Sequence, residues 1–237
     1  MDITRIAELL RPYMGEAAPP PALPEQLQRY LDLLLRWNAR TNLTAVRDPE
    51  QIVARHFGES LFAARVLFPE SQAEPGSILE AKAASRSYAQ PERRSEDLLY
   101  PHTTLADVGS GAGFPGIPMK LFAPDLELTL IESQNKKATF LDEVVRTLGL
   151  DRTEVFCGRA EEWGKTANLV TMRAVEQFER VLPIAAELVT AAGRLCLLIG
   201  ARQTPKAQEI LGADWTWQKP NGVPQSTGRV VLVGSRP

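Results

Sequence analysis

The first part of the chain shows the hydrophobic spacing of amphipathic helices. Apolar residues three and four positions apart predict a helix over residues 3–13, which Asp2 can cap. A second helix is predicted to begin near Pro24, since proline fits a first turn, and its pattern breaks over residues 38–44. A third helix is predicted to begin at Asp48, so this part of the chain forms a helical extension.

Residues 71–103 lack this spacing and contain few large apolar side chains. They are rich in alanine, serine, glutamate, arginine, glutamine and proline, a composition that does not bury a core. We therefore predict a surface insertion, mainly disordered, between the helical extension over residues 1–70 and a domain over residues 104–237.

From residue 105 onward, short apolar runs alternate with segments of helical spacing. Strands are predicted at 105–108, 126–131, 153–157, 168–172 and 195–199, and helices at 117–122, 136–148, 176–191 and 205–211. Gly149 and Gly193 are expected to end two of these helices. The alternation predicts an α/β fold with helices on both faces of a parallel sheet. Apolar runs at 215–217 and 229–233 predict an antiparallel strand pair that closes the sheet.

Composition places the chain among ordinary globular proteins. Its 237 residues suit one medium domain with an extension, and its net charge of −2 argues against a broad nucleic-acid-binding surface but allows a local basic patch. No run approaches the roughly 20 apolar residues of a membrane span, and the N-terminus lacks the pattern of a signal peptide. We expect a cytoplasmic protein without a membrane partner.

The cysteines and histidines give little sign of metal or redox chemistry. Cys157 and Cys196 lie in apolar, strand-like runs, which predicts buried free thiols rather than a disulfide. His56 and His102 are far apart and have no neighbouring cysteine, so we expect no metal site. His56 lies on or beside the apolar stripe of the third helix, which favours a satisfied core residue over a catalyst.

The clearest chemical pattern lies at residues 104–120, where an apolar run leads into closely spaced glycines. Glycine lets the backbone turn sharply and approach a ligand, and a strand–glycine–helix sequence cradles nucleotide-like cofactors. Gly111, Gly113 and Gly116 match the dinucleotide fingerprint, which alone is a weak signal and would imply an NAD-binding oxidoreductase.

A second pattern in the same loop combines Asp107 with Gly109 and the two glycines that follow at alternate positions. This spacing is typical of S-adenosylmethionine-dependent methyltransferases, in which the loop holds the amino-acid end of the cofactor. Pro115 and Pro118 remove N–H donors where a pyrophosphate needs a helix N-terminus, and this favours the methyl donor.

Three later positions extend the candidate site. Glu132 ends the second predicted strand and can accept hydrogen bonds from ribose hydroxyls, with a solvated acid as the alternative. Ala160 and Glu161 follow the third strand, where they either approach an adenine ring or open a helix. Arg173 ends the fourth strand and can pair with a cofactor carboxylate or an RNA phosphate, or lie free on the surface.

Several short motifs occur in a fixed order along the chain. They are Trp37-Asn38, Asn42-Leu43-Thr44, Arg47-Asp48-Pro49, Arg55-His56 with Ser60, the loop at 107–118, Glu132, Lys136-Lys137, Arg159-Ala160-Glu161 and Arg173-Ala174. Together they resemble the RsmG (GidB) family of bacterial 16S rRNA guanine-N7 methyltransferases over most of residues 24–233. The resemblance implies a Rossmann-like class I methyltransferase with a mostly parallel seven-stranded sheet and an antiparallel C-terminal strand.

The resemblance also implies a cofactor, S-adenosyl-L-methionine, and a partner, 16S rRNA or the 30S ribosomal subunit. The implied cofactor contacts are Gly109, Ser110, Gly111, Phe114, Glu132, Ala160, Glu161 and Arg173. The candidate RNA contacts are the basic residues Arg36, Arg40, Arg47, Arg55, Lys136 and Lys137. We expect a monomer without a metal. No catalytic base is assigned, because guanine N7 carries a lone pair and no proton.

Three residues depart from the family pattern. Glu59 stands in place of an aspartate, Ile199 in place of a lysine and Val230 in place of a histidine. Arg202 can substitute for the missing lysine. The alternative functions are a methyltransferase with another substrate, an NAD-binding oxidoreductase, and a catalytically impaired RNA-binding assembly factor, which Ile199 makes conceivable.

Overall fold

The computed structural model describes residues 1–15, 20–68 and 103–236. The predicted insertion at residues 71–103 therefore lies, apart from Thr103, outside the described residues. In chain order the elements are α1 (Ile3–Met14), α2 (Leu23–Thr41), α3 (Pro49–Ile52), a π-helical turn (Val53–Gly58), α4 (Glu59–Leu67), β1 (Thr104–Val108), α5 (Gly116–Phe122), β2 (Glu127–Glu132), α6 (Asn135–Leu148), β3 (Thr153–Cys157), a 3₁₀ turn (Ala160–Glu162), β4 (Ala167–Arg173), α7 (Phe178–Glu187), β5 (Val189–Gly200), a 3₁₀ turn (Ala201–Gln203), α8 (Thr204–Leu211), β6 (Thr216–Trp217), β7 (Asn221–Gly222) and β8 (Arg229–Ser235).

Strands from the whole second part of the chain form one sheet in the order β3-β2-β1-β4-β5-β8-β6, and β7 pairs with β8. The strands β1 to β5 are parallel, and β8 runs antiparallel to β5. This confirms the α/β fold with an antiparallel C-terminal strand. The described sheet has eight strands rather than seven, because the two-residue β7 adds to β8.

The sheet order places the switch in chain direction between β1 and β4. From β1 the chain first builds outward through β2 and β3, and then returns to build β4 and β5 on the other side. Asp107 of β1 lies opposite Thr171 of β4 at this junction. In open α/β sheets the crevice at the carboxyl ends of strands beside such a switch is the ligand site.

Two hydrophobic cores cover the two faces of the sheet. One core joins the N-terminal helices, α5 and α6 to inward positions such as Cys196 and Leu198 of β5. The other joins α7 and α8 to the alternate positions Leu195, Leu197 and Ile199. Because successive strand residues point to opposite faces, the apolar run over residues 195–199 of β5 supplies both cores.

Side-chain caps explain why several helices begin where the sequence predicts. Asp2 Oδ1 accepts a hydrogen bond from the Arg5 N–H at 2.8 Å, and Asp48 Oδ1 accepts one from the Gln51 N–H at 2.8 Å. Pro49 fits the first turn of α3, where its missing N–H has no helical partner. At the other end of α6, Gly149 adopts φ +62° as the C-cap.

Some boundaries differ from those predicted. The helix predicted over 176–191 ends at Glu187, and Gly193 lies inside β5 instead of ending a helix. The alanine-rich sequence favours helix locally, but β5 pairs with β4 at Val189 and again from Arg194, where β8 joins it, and these pairings override that preference. The predicted break at 38–44 is partly wrong, since α2 continues to Thr41.

Candidate active site

The glycine loop at the end of β1 uses its own backbone N–H groups to hold its shape. Gly109 and Ser110 donate to the Ile131 carbonyl at 2.9 and 3.0 Å, and Gly111 donates to Glu132 Oε2 at 2.9 Å. The N–H groups of Gly113 and Phe114 donate to the Ser110 carbonyl, at 2.7 and 3.1 Å. A pyrophosphate cradle keeps such groups free for the ligand, so the loop does not fit a dinucleotide.

Asp107 lies beneath the loop and supports it. Its Oδ1 accepts from the Thr171 hydroxyl at 2.8 Å, and its Oδ2 accepts from the Gly116 N–H at 3.1 Å. Burial raises the pKa of Asp107 to about 6, against the opposing effect of these two donors. The carboxyl group thus ties β1 to β4 and to the start of α5.

The loop also rests on the N-terminal helix α2. The Tyr30 hydroxyl donates to the Ala112 carbonyl, and a Cβ on Gly113 would collide with that hydroxyl and with Ile117. A Cβ on Gly116 would lie 2.9 Å from Asp107 Oδ2. Gly113 and Gly116 are therefore required by packing, and not only by a ligand.

All the predicted cofactor residues lie around two adjoining cavities. A cavity of about 750 Å³ is lined by six of them, Gly109, Ser110, Gly111, Phe114, Glu132 and Arg173. A smaller one of about 180 Å³ is lined by Ala160 and Glu161, and the two cavities share Gly109, Ser133 and Val175. The structure brings these residues together, and their binding roles stay predictions.

The chemistry of these walls fits S-adenosylmethionine. Glu132 accepts N–H groups of Gly111 and Gln134 at 2.9 and 2.8 Å, one on each carboxylate oxygen, so both oxygens keep a lone pair for hydroxyl donors. The smaller cavity has apolar walls that include Val108, Ala160 and Ile184, which suits the face of an adenine ring.

One wall of the main cavity contains a charge cluster centred on the buried Glu59. Arg173 Nη2 lies 3.0 Å from Glu59 Oε2, and Arg229 Nη2 lies 2.7 Å from Oε1 without an aligned hydrogen bond. Burial raises the pKa of Glu59 and lowers that of Arg173, while their mutual attraction opposes both shifts. This cluster joins α4 to β4 and β8.

His56 lies in the same wall with both ring nitrogens engaged. Arg173 Nη2 is 3.1 Å from Nδ1, and the Thr44 hydroxyl is 2.8 Å from Nε2, while the ring stacks on Phe114 with centroids 4.9 Å apart. Burial, followed by the charges of nearby arginines, lowers the pKa of His56 to about 3. Both imidazole nitrogens have partners, as the sequence favoured. His56 also lines the cavity, so the prediction of a purely core position was wrong.

Arg173 is more strongly engaged by protein than the sequence indicated. Its Nη2 also lies 2.8 Å from the Arg55 carbonyl, so three acceptors from the N-terminal helices share the two hydrogens of this one nitrogen. Its Nε and Nη1 make no hydrogen bond within the described ranges, and a direct contact of Arg173 with a ligand stays a prediction.

The candidate RNA contacts do not form a single patch. Arg55 and Lys137 line the main cavity, whereas Arg36 and Arg40 line a separate surface cavity beside Trp37. The other two, Arg47 and Lys136, are exposed, and Arg47 Nη2 donates to Asn42 Oδ1 at 2.7 Å. Their roles stay predictions.

Other positions correct or extend the sequence analysis. Cys157 is exposed at the end of an edge strand, so its predicted burial is wrong, whereas Cys196 is buried. Arg202 lines a neighbouring cavity and not the main one, which Ile199 lines. The sequence missed the pairing of Glu59 with Arg229, which only the antiparallel return of β8 brings together.

The described residues contain no group of three or more histidine, cysteine or acidic side chains placed to hold a metal ion. Within the same ranges, no helix combines the length and apolar character needed to cross a membrane.

Comparison with known proteins decides the family. The GidB family model, described as rRNA small subunit methyltransferase G, matches residues 23–75 and 96–230. The chain belongs to this family. The match confirms the resemblance drawn from the sequence motifs and makes the protein a methyltransferase.

Relatives in several bacteria bear the name ribosomal RNA small subunit methyltransferase G. The Xylella fastidiosa protein is 35% identical over 211 residues, covering 87% of this chain and 84% of its own length. The Lactococcus lactis subsp. cremoris protein is 31% identical, with coverage of 84% and 78%. The Aquifex aeolicus protein is 40% identical over 159 residues, with coverage of 67% of each chain.

Solved structures support the fold of this methyltransferase. A ribosomal protein L11 methylase from Lactobacillus delbrueckii subsp. bulgaricus aligns with a TM-score of 0.51 and 16% identity, covering 76% of this chain and 79% of that one. TrmN from Thermus thermophilus aligns with a TM-score of 0.50 and 14% identity, with coverage of 74% and 53%. At these identities the likeness concerns the fold alone.

Proposed function

We propose that this methyltransferase transfers a methyl group from S-adenosyl-L-methionine to N7 of a guanine in 16S rRNA. One observation carries the proposal beyond family membership. The main cavity is lined by the glycine loop and Glu132 together with Thr44, Arg55 and Arg229. A cofactor and a base can therefore meet in one cavity.

The cavity supports a reaction that needs positioning and no proton removal. When bound, S-adenosyl-L-methionine supplies an electrophilic methyl group. The His56 Nδ1 lone pair faces Arg173, and Glu59 has an arginine at each carboxylate oxygen, so both groups are engaged within the protein. Guanine N7 has an in-plane lone pair and no proton to lose, so aligning it is the main requirement.

The target guanine is expected to be unstacked. Its N7 edge faces the deep groove of A-form RNA, which protein side chains cannot enter. Arg55 and Lys137 at the cavity, with the more distant Arg36, Arg40, Arg47 and Lys136, are the cations proposed to contact phosphates. The proposed partner is 16S rRNA or the 30S subunit, met by a monomer in the cytoplasm.

Methyl transfer to ribosomal subunits tests the proposal. Purified protein and tritium-labelled S-adenosyl-L-methionine are incubated with 30S subunits that lack the modification, and the labelled nucleotide is mapped. We expect label at N7 of one guanine. Absence of label in rRNA would contradict the proposal and leave a different substrate or a non-enzymatic role.

Calorimetry separates the cofactor classes. We expect S-adenosylhomocysteine to bind and NADH to give no heat, because the loop N–H groups are already bonded within the protein. Binding of NADH without any response to S-adenosylhomocysteine would instead support the oxidoreductase alternative.

A further inference from the structure

The Thr44 side chain is held in one orientation at the main cavity. Its hydroxyl oxygen accepts the Val46 N–H at 3.1 Å, and it lies 2.8 Å from His56 Nε2. The Thr44 N–H donates to Asn38 Oδ1 at 3.0 Å, which anchors the same residue from its backbone. Thr44 is partly exposed and lines the main cavity.

The hydrogen-bond direction between His56 and Thr44 is inferred from Arg173. A guanidinium has no acceptor, so a hydrogen on His56 Nδ1 would point at Arg173 Nη2, 3.1 Å away, without a partner, and the tautomer that fits has Nδ1 as the acceptor. A neutral imidazole with Nδ1 as acceptor carries its proton on Nε2. The Nε2–H therefore donates to the Thr44 oxygen.

This arrangement leaves the Thr44 hydroxyl as a donor only. A hydroxyl oxygen has two lone pairs and one hydrogen. The Val46 N–H and the His56 Nε2–H occupy both lone pairs, and the hydroxyl hydrogen has no acceptor among the described residues. The Thr44 hydroxyl is thus fixed as a hydrogen-bond donor before any base binds.

We propose that Thr44 selects guanine over adenine by donating this hydrogen to O6 of the target base, an inference that rests on the proposed N7 methylation. On the edge that carries N7, guanine presents the acceptor O6, whereas adenine presents a donor amino group at the corresponding position. The amino group would face a hydroxyl that cannot accept. Thr44 therefore determines specificity, and Arg173 and His56 position it.

Substituted substrates and two Thr44 variants test the inference. The target guanine of the small-subunit RNA is replaced by 2,6-diaminopurine, which keeps N7 and the 2-amino group but carries an amino group at C6. We expect the wild-type kcat/KM for methyl transfer to fall about tenfold or more, because the Thr44 hydroxyl, a donor, then faces the donor amino group at C6. Thr44→Ser should keep the wild-type ratio of kcat/KM on guanine to kcat/KM on 2,6-diaminopurine. Thr44→Val should bring this ratio close to one, because it slows transfer to guanine.

Controls separate selection from a general structural effect. Thr153 is the first residue of β3 and lies at the end of the sheet away from the site, so Thr153→Val should keep the wild-type ratio. Affinity for S-adenosylhomocysteine should be unchanged in all variants. The wild-type comparison needs no variant, so it tests the inference even if Thr44→Val folds poorly.

The outcomes distinguish this inference from the proposed function. Equal wild-type rates on the two bases, an unchanged ratio in Thr44→Val, or an equal loss on both bases would overturn the role of Thr44 while leaving N7 methylation intact. If the wild type transfers no methyl group to guanine-containing RNA, the proposed function fails and the selection fails with it.

Discussion

At the scale of single residues, the main feature is a carboxylate and two arginines that share a buried site. Burial raises the pKa of Glu59 and lowers that of Arg173, so for both groups desolvation outweighs the attraction of the partner. Such a cluster contributes little net stability, but each member depends on the others. Its effect is to fix Arg173, and through Arg173 the orientation of His56, at the cavity.

Removing the carboxylate should therefore be far more damaging than removing an exposed one. We expect Glu59→Ala to lower the free energy of unfolding by roughly 3–5 kcal/mol, because Arg173 would remain buried without its partner. Glu50→Ala is the matched control, since Glu50 pairs with Arg5 at 2.8 Å on the surface and its loss should change stability far less. Urea denaturation measures both, and equal losses would contradict the argument.

Asp107 should make stability depend on pH. Its pKa rises from 3.8 to about 6 in the folded protein, so the folded state keeps this proton to higher pH than the unfolded chain. Stability should fall as pH rises from about 4 to about 6, by on the order of 3 kcal/mol from this group. Asp107→Asn, which does not ionise, should lose this contribution.

The measurement for Asp107 is the difference between two denaturation curves taken across this pH range. The wild-type curve also contains other carboxyl groups, including Glu59 with its raised pKa, and the difference cancels them. The asparagine can accept from Gly116 and donate to the Thr171 oxygen, so the fold should persist. Parallel curves for the two proteins would show that Asp107 ionises normally.

At the scale of elements, the glycine loop combines positions with different reasons for glycine. Gly113 has φ +90°, and a Cβ there would collide with Tyr30 and Ile117. Gly111 has φ +58°, but a Cβ there would meet only the Gly109 carbonyl oxygen, at 3.8 Å, and it lines the cavity. The same motif therefore serves packing at Gly113, while Gly111 leaves open space at the cavity, where we predict that the ligand binds.

Alanine at each position should separate these two reasons. We expect Gly113→Ala to lower the free energy of unfolding by about 2 kcal/mol or more, through overpacking and strain. Gly111→Ala should lower the free energy of unfolding by about 1 kcal/mol. The same change should weaken the binding free energy of S-adenosylhomocysteine by a larger amount. Denaturation and calorimetry on both variants check this, and the reverse order of stabilities would refute it.

Most elements could be predicted because local signals and tertiary packing agree in them. The caps at Asp2 and Asp48 and the apolar run of β1 are examples. The segment over 189–193 is different, since its alanines favour helix whereas it forms the start of β5. The π-helical turn over Val53–Gly58 was also missed, because helical spacing of apolar residues does not distinguish it from an α-helical turn.

At the scale of the whole molecule, the site divides into a predictable half and an unpredictable half. The glycine loop, Glu132 and Arg173 all lie at carboxyl ends of parallel strands, so a parallel sheet brings them to one edge. Thr44, Glu59 and Arg229 come from a loop, a helix and an antiparallel strand. Their meeting depends on how the N-terminal helices dock, which no spacing in the sequence encodes.

The N-terminal helices also cover part of one face of the sheet. Leu27, Tyr30 and Phe57 belong to the same core as strand residues of β1, β2 and β5. Tyr30 stacks against Phe114 of the glycine loop with ring centroids 5.6 Å apart, and its hydroxyl donates to the Ala112 carbonyl. The division into a helical extension and a separate cofactor domain therefore does not correspond to two independent cores in the described residues.

A chain that begins at residue 103 should consequently fail to fold as a domain. Its sheet would lack cover over much of one face, and the glycine loop would lose its support from α2. We expect no cooperative thermal transition, strong binding of a hydrophobic dye and no detectable binding of S-adenosylhomocysteine, with the full chain measured in parallel as the control. A cooperative transition together with S-adenosylhomocysteine binding would show that the second half is self-sufficient, and that the N-terminal helices serve the RNA side of the site alone.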